Sequence, residues 1–429
     1  MKLPTVGFAG MTHLGIVSAT AVAAKGFPVI CYDADSSLTS ALANGSLPIV
    51  EPSLPELLAT NGSRQRFSDQ IAHLSECDIV YIAPDVPTDD TGKSDLTGIR
   101  RLIEAVAKVL GPDSIMVILS QVPPGFTRSL RHLPPARLYY QVETLVFGRA
   151  IERAIQPERY IIGCASPDQP LDKRFSRLLD AFSCPILQMR YESAELAKIS
   201  INMCLVASIS VANTLAELCE KLGADWSEIT PALKLDRRIG QYSYLAPGLG
   251  IAGGNLERDL ATVERLAAEY ATDASIVRAW IQNSRHRRDW AARAIRAALL
   301  DSKPDATIAV WGLAYKENTH SVKNSPSVAT IAQLKAATVR AHDPSVPDSA
   351  LTHLKIARFN DPLEAARSAD ALMILTPWPQ YRDIRPEDIA RVLSKRIVID
   401  PYSVINQKDA WRHRFIHYTL GRPDAQHAQ

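Results

Sequence analysis

Net charge, cysteine and long apolar runs are what this 429-residue sequence has little of. Lys and Arg number 48 against 46 Asp and Glu, a balance of +2, so nothing points to bulk binding of nucleic acid or of a membrane surface. Six cysteines (Cys31, Cys77, Cys164, Cys184, Cys204 and Cys219) sit in apolar settings without metal-ligand spacing. They are expected to be reduced, buried small hydrophobes of a cytosolic protein. No apolar run reaches about 18 residues, so no membrane span is expected. The N-terminus leads straight into a strand pattern, which argues against a signal peptide. Repeats and low-complexity segments are absent. What is present is length and apolar content: 429 residues at 46% hydrophobic exceed one ordinary core and predict two or three domains.

The first 33 residues have the order of a dinucleotide-binding unit. Thr5 to Ala9 is a short apolar strand, Gly10-Met-Thr-His-Leu-Gly15 a glycine turn, and the residues to about Lys25 an apolar-periodic helix. Gly26 ends the helix, and Pro28 to Tyr32 is a second strand leading to Asp33. Gly10 makes the tight turn and Gly15 lets helix and strand pack closely. Asp33 is placed to accept from a ribose 2′-hydroxyl, which favours NAD over NADP because its charge repels a 2′-phosphate. Thr12 replaces the middle glycine of G-x-G-x-x-G. Its side chain either crowds the pyrophosphate or bonds a phosphate oxygen through the hydroxyl.

Further on, Tyr244 to Asp259 reads YLAPGLGIAGGNLERD, with four glycines and a proline, and is expected to be neither regular helix nor strand. Such a loop brings backbone amides close to a ligand, and it closes on Asn255, Arg258 and Asp259. Glu192 to Leu222 has helical spacing at Leu196, Ile199, Met203, Val206, Ile209 and Leu215, with Gly223 as the stop. Residues 260–299 are helical, with a basic run Arg285 to Arg288 expected on a solvated face. Strands and helices alternate again from Ala306 to Pro401, implying a second parallel sheet. The last dozen residues, with Pro423 and polar neighbours, are expected to be mobile.

The Tyr244–Asp259 stretch resembles the active-site loop of the UDP-glucose/GDP-mannose dehydrogenase family, roughly YLxPGxGFGGxCxPKD. The resemblance runs from about residue 4 to 405, with motifs in the family order. Pro48-Ile-Val-Glu51-Pro52 is similar to PIxEPGL, and Val86-Pro87-Thr88 to a TPT turn preceded here by Pro84 and Asp85. Ser120-Gln121-Val122-Pro123-Pro124-Gly125 is similar to STVPxG, and Gln141 to Phe147 to NPEFLxE. Pro157 to Gly163 resembles the PxRIVIG strand that closes the first domain. Lys198 and Asn202, four apart and on one helix face, fall on ELxKxxxN. Asp236 to Gly240 is similar to DxRIG, with one extra residue before Tyr244. Gly312-Leu-Ala-Tyr-Lys316 through Pro326 is similar to GLAFKxxTDDxRxSP, with Lys323 for the arginine. Tyr402 takes the place of a late arginine.

The resemblance implies an α/β fold. Two Rossmann-like, doubly wound parallel-sheet domains are joined by a helical middle domain with a long central helix. The boundaries are 1–190 for NAD, 191–300 for the helical and dimerisation domain, and 301–429 for the nucleotide sugar. The cofactor implied is NAD, held by Gly10, Thr12, Gly15, Asp33 and Thr88. The implied partner is a nucleotide sugar, a UDP-hexose first, bound by Leu145, Arg238, Tyr244, Leu245, Gly250 and Lys316. A homodimer is implied, with neither nucleic acid, membrane nor metal. Catalytic positions carried over are Gln121, Glu143, Lys198, Asn202, Asn255 and Asp259. Asn255 stands where the family has its nucleophilic cysteine, Gln121 where it has a threonine, and Phe147 where it has a second glutamate. An amide forms no acyl-enzyme, so the four-electron oxidation to a uronate is expected to fail. Two alternatives stay open: a dehydrogenase performing one two-electron oxidation of a sugar alcohol, and a non-catalytic nucleotide-sugar-binding or regulatory relative.

Overall fold

The computed structural model describes residues 2–89 and 92–423. The chain divides into two compact units, Met1–Ile201 and Asn202–Gln429.

The first unit is built on eight strands in the order β3-β2-β1-β4-β5-β6-β7-β8. Their ranges are β1 Val6–Ala9, β2 Val29–Tyr32, β3 Gln65–Ser68, β4 Ile79–Ile82, β5 Ile115–Ile118, β6 Leu138–Gln141, β7 Tyr160–Cys164 and β8 Ile186–Arg190. β1, β2, β4, β5 and β6 are buried at every position, which is why each reads as an unbroken apolar run. The β1–β4 register pairs Val6 with Ile79 and Ala9 with Ile82. The neighbours pair in parallel except β6 with β7, which are antiparallel. The sheet therefore does not close at Gly163 as expected; β8 follows beside β7. Helix α1, His13–Ala24, has residues Leu14 to Val17 and Ala19 to Ala23 buried. The order 3-2-1-4-5-6 is the doubly wound arrangement whose ligand crevice lies at the carboxyl ends of β1 and β4.

The second unit has a six-stranded, all-parallel sheet in the order β11-β10-β9-β12-β13-β14. The ranges are β9 Thr307–Trp311, β10 Thr338–His342, β11 Ile356–Arg358, β12 Ala371–Ile374, β13 Ile397–Ile399 and β14 Ile416–Tyr418. Asp343, just after β10, is saturated by donors. Its Oδ2 accepts from Leu313 N, Ala314 N and Trp378 Nε1, and its Oδ1 from Ser345 N and Val346 N.

Along the chain, between β8 and β9, come helices that include α2 Tyr191–Leu222, α3 Trp226–Leu235, α4 Asn255–Glu269 and α5 Ser275–Arg288. The unit boundary falls inside α2. By length and composition α2 passes as a membrane span, with one 18-residue window of mean hydropathy 1.6, although no such run was expected. It also carries Glu195, Asn213 and Glu220 buried in protein.

Three further expectations are corrected. Arg287, in the basic run, is buried and paired with Glu217 and Glu220. Cys204 is exposed and Cys184 partly so, and all six thiols are free. The last dozen residues are not uniformly loose. Gly421 donates its amide to Glu220 Oε1 at 3.0 Å and accepts from Trp226 N at 2.8 Å, while 424–429 lie outside the described residues.

Candidate active site

The glycine turn is shaped by contact. Gly10 has φ +99, and a Cβ there would lie 2.7 Å from Pro84 N. A Cβ on Gly15 would lie 1.9 Å from Gly10 O. Both positions therefore require glycine. Thr12 caps no amide of α1 with its side chain. Its hydroxyl donates to Ala83 O at 3.2 Å and accepts from Asp85 N at 3.1 Å. The single hydroxyl proton is thus committed, and a phosphate oxygen, which only accepts, finds no donor in it. The hydroxyl instead ties the turn to the chain leaving β4. Asp33 accepts from Met11 N at 2.7 Å and from Asp35 N at 3.1 Å. Its half-buried carboxylate keeps acceptor capacity for a ribose diol. Thr88 bridges to Ser94, and Asp85 is exposed. A positive-φ glycine turn, a close helix start and a carboxylate after β2 fit a dinucleotide.

In the same unit, Lys198 Nζ stands 3.2 Å from Glu143 Oε2, with 12% and 17% of the side chains exposed. Leu145 N donates to the other oxygen of Glu143, Oε1. The pair is a half-buried ammonium and carboxylate, able to hold an oxyanion and accept a proton. Gln121 is partly buried on the loop after β5, whose neighbour Ser120 donates to Pro84 O at 2.6 Å. Reading the sequence missed the group that holds this loop. Glu195, one turn before Lys198, accepts from Gly125 N at 2.6 Å and Thr127 N at 2.8 Å. Burial pushes Glu195 up to about 7, against the pull of its donors. A buried carboxylate inside the ELAK segment was the available signal.

In the second unit, Asn202 Nδ2 donates to Asp259 Oδ2 at 2.5 Å, and both side chains are buried. Arg258 Nε lies 3.4 Å from Asp259 Oδ1. The glycine-rich stretch is only partly a loop, because α4 starts at Asn255 behind Gly254, so Asn255 to Asp259 are helical. Asn255 is the exposed first residue of that helix. Gly253 has φ +89 and lies under Tyr315, whose Cε2 would be 2.5 Å from a Cβ. Gly254 faces Lys323, and Glu257 accepts from Asn324 at 2.5 Å. Lys316 Nζ sits 5.8 Å from the Tyr315 ring centre. Ile251 N donates to Ser284 Oγ at 2.8 Å, which places Gly250 against α5. Leu245 is buried and its carbonyl accepts from Trp226 Nε1 at 2.7 Å. Arg238 and Tyr244 are exposed, and Arg238 pairs with Asp236 two residues away.

Comparison with known proteins matches three consecutive segments of the chain. Residues 4–182 match the NAD binding domain, 192–285 the central domain and 309–407 the UDP binding domain of the UDP-glucose/GDP-mannose dehydrogenase family. The chain is 30% identical to UDP-glucose 6-dehydrogenase TuaD of Bacillus subtilis (strain 168), covering 96% of this chain and 92% of that one. It is also 30% identical to UDP-glucose 6-dehydrogenase of Rhizobium meliloti (strain 1021), over 99% and 100%. The structure of a UDP-glucose dehydrogenase from Pyrobaculum islandicum superposes with a TM-score of 0.84 at 26% identity, covering 95% of this chain and 96% of that one. The first segment is an NAD-binding domain, and NAD is the cofactor. With three consecutive domains matched and relatives aligned over nearly their whole length, the chain belongs to the UDP-glucose/GDP-mannose dehydrogenase family.

Proposed function

We propose that this NAD-dependent nucleotide-sugar dehydrogenase takes a UDP-hexose and carries out a single two-electron oxidation of a sugar alcohol. The observation that carries this reading is Asn255, an amide as the first residue of α4. No cysteine stands anywhere between Tyr244 and Asp259. Oxidation past the aldehyde by the covalent route needs a thiolate to hold the acyl group. Oxidation of the alcohol needs a base and an oxyanion partner, and the Glu143–Lys198 pair has both chemistries at 3.2 Å. Glu143 takes the hydroxyl proton and Lys198 steadies the developing alkoxide. NAD, when bound on the Gly10–Gly15 turn with Asp33 on its ribose, supplies the hydride acceptor. Gln121 orients the hydroxyl. Asn202 and Asp259 hold the helix carrying Asn255, and Thr88 lines the cofactor side. Leu145, Arg238, Tyr244, Leu245, Gly250 and Lys316 bind the nucleotide sugar.

The working division is 1–190, 191–300 and 301–429, and the site is placed in a cytoplasmic homodimer. The dimer proposal rests on α2, where Val211, Leu215, Leu218 and Leu222 are exposed at helical spacing and form one apolar stripe. A second copy of the chain covers that stripe. The buried Glu220 and Asn213 on the other side of α2 favour this over a lipid environment.

The non-catalytic reading has one observation in its favour, the Thr12 hydroxyl that is bonded to Ala83 O rather than available to a phosphate. The test is to incubate the protein with NAD and a panel of nucleotide hexoses, counting NADH per sugar and weighing the product. One NADH and a carbonyl product supports the proposal. Two NADH and a uronate contradict it. Tight sugar binding without NADH supports the non-catalytic reading.

A further inference from the structure

Glu51 is a carboxylate sealed from solvent, its side chain 0% exposed. Four hydrogen bonds from three donors converge on it. His13 Nε2 lies 2.7 Å from Oε1. Gly148 N lies 2.9 Å from Oε1 and 3.1 Å from Oε2, and Ala150 N lies 3.2 Å from Oε2. Burial alone pushes Glu51 up, but His13 and the two amides outweigh it and hold the carboxylate below its ordinary range. Glu51 is therefore an anion at neutral pH.

The donors come from two places that matter to the site. His13 is the first residue of α1, inside the turn that seats the cofactor. Gly148 and Ala150 end the segment that begins at Glu143. That segment meets the pair a second time, because the Phe147 ring rests on the His13 ring with centroids 4.2 Å apart. Residues 147–150 thus touch the pair twice, an aromatic ring on the imidazole and amides on the carboxylate.

We propose that His13 and Glu51 are a positioning pair that couples cofactor binding on the Gly10–Gly15 turn to the ordering of the 143–150 segment. A ligand on the turn restrains the start of α1. The restraint passes through the His13–Glu51 bond to the amides of Gly148 and Ala150. By linkage, whatever the cofactor does to the affinity of this segment for sugar, the sugar does equally to the affinity for cofactor. The inference rests on the dehydrogenase reading.

Hydrogen exchange on the full-length protein, with and without saturating NADH, tests it without any turnover. In the wild type, NADH slows exchange across 144–150 about tenfold. Glu51→Gln, which cannot accept from both amides and the imidazole as an anion does, binds NADH and loses that slowing. His13→Gln keeps a donor for Glu51 and keeps the slowing. His13→Phe keeps a ring against Phe147 but has no donor, and loses it. A purely structural staple lowers stability in the variants and leaves the NADH-dependent ratio as in the wild type, which overturns the proposal. Wild-type protein that binds NADH without slowing at 144–150 overturns this inference and leaves the dehydrogenase standing. Wild-type protein that binds no NADH overturns both.

Discussion

Asn202 and Asp259 meet at 2.5 Å with both side chains buried, joining the start of the second unit's share of α2 to the second turn of α4. Removing one partner leaves a buried polar group without its bond, at about 1–3 kcal/mol. Asn202→Ala is therefore expected to lower the unfolding free energy by that amount, read as a lower urea midpoint at an unchanged slope. An unchanged midpoint would mean that Arg258 or water replaces the amide.

Asn255→Cys restores a thiol at the first residue of α4. The helix start is exposed and favours a thiolate, so the substitution is expected to fold normally. NADH formed per sugar should rise from one to two, read by absorbance together with product mass. A ratio that stays at one would show that the missing thiol is not what stops the reaction.

Lys198→Met keeps much of the side-chain volume and removes the ammonium beside Glu143. Turnover should fall on the order of 10²–10⁴-fold, while nucleotide-sugar affinity, measured by calorimetry, stays within a few-fold. Equal losses in binding and turnover would assign Lys198 to substrate binding instead.

Glu195 ionises near 7 in the folded protein against an ordinary 4.5. A raised folded-state pKa means that the folded chain holds the proton more tightly than the unfolded one. The stability from this group is present below about pH 4.5 and is lost as pH rises through about 7. Relative to Glu195→Gln, the wild type should lose roughly 1–3 kcal/mol across that window. Superimposable stability–pH curves for the two proteins would contradict it.

Gly253→Ala places a methyl group 2.5 Å from the Tyr315 ring at a backbone φ of +89. Strain and collision together should destabilise the protein by about 1–3 kcal/mol. Replacing Tyr315 by Leu in the same chain should recover the steric part alone. Full recovery would show that the backbone conformation costs nothing there.

Much of this was legible because the central strands are buried on both faces, so Ile79–Ile82 and Ile115–Ile118 read as unbroken apolar runs. β8 escaped notice because an edge strand with Leu187 exposed and Gln188 and Arg190 in its run has no such signature. The start of α4 was hidden by Gly253 and Gly254, which read as loop although Gly254 is the residue that turns the chain into the helix. Arg287 looked like one cation in a solvated run. Its carboxylates lie about 70 residues earlier, on a helix that local reading cannot bring beside it. The same distance effect hid the role of Thr12, whose partners Ala83 and Asp85 lie about 70 residues on, in the chain leaving β4.

Two sheets that share the order 3-2-1-4-5-6 over their first six strands suggest two dinucleotide sites, yet the aspartates after their second strands differ. Asp33 receives two amides, whereas Asp343 receives four amides and an indole and is buried. A carboxylate offers about four lone-pair positions, so Asp343 has none left for a ribose diol. The binding isotherm for dinucleotide should accordingly reach its end point at one equivalent per chain, with the second sheet contributing nothing to it.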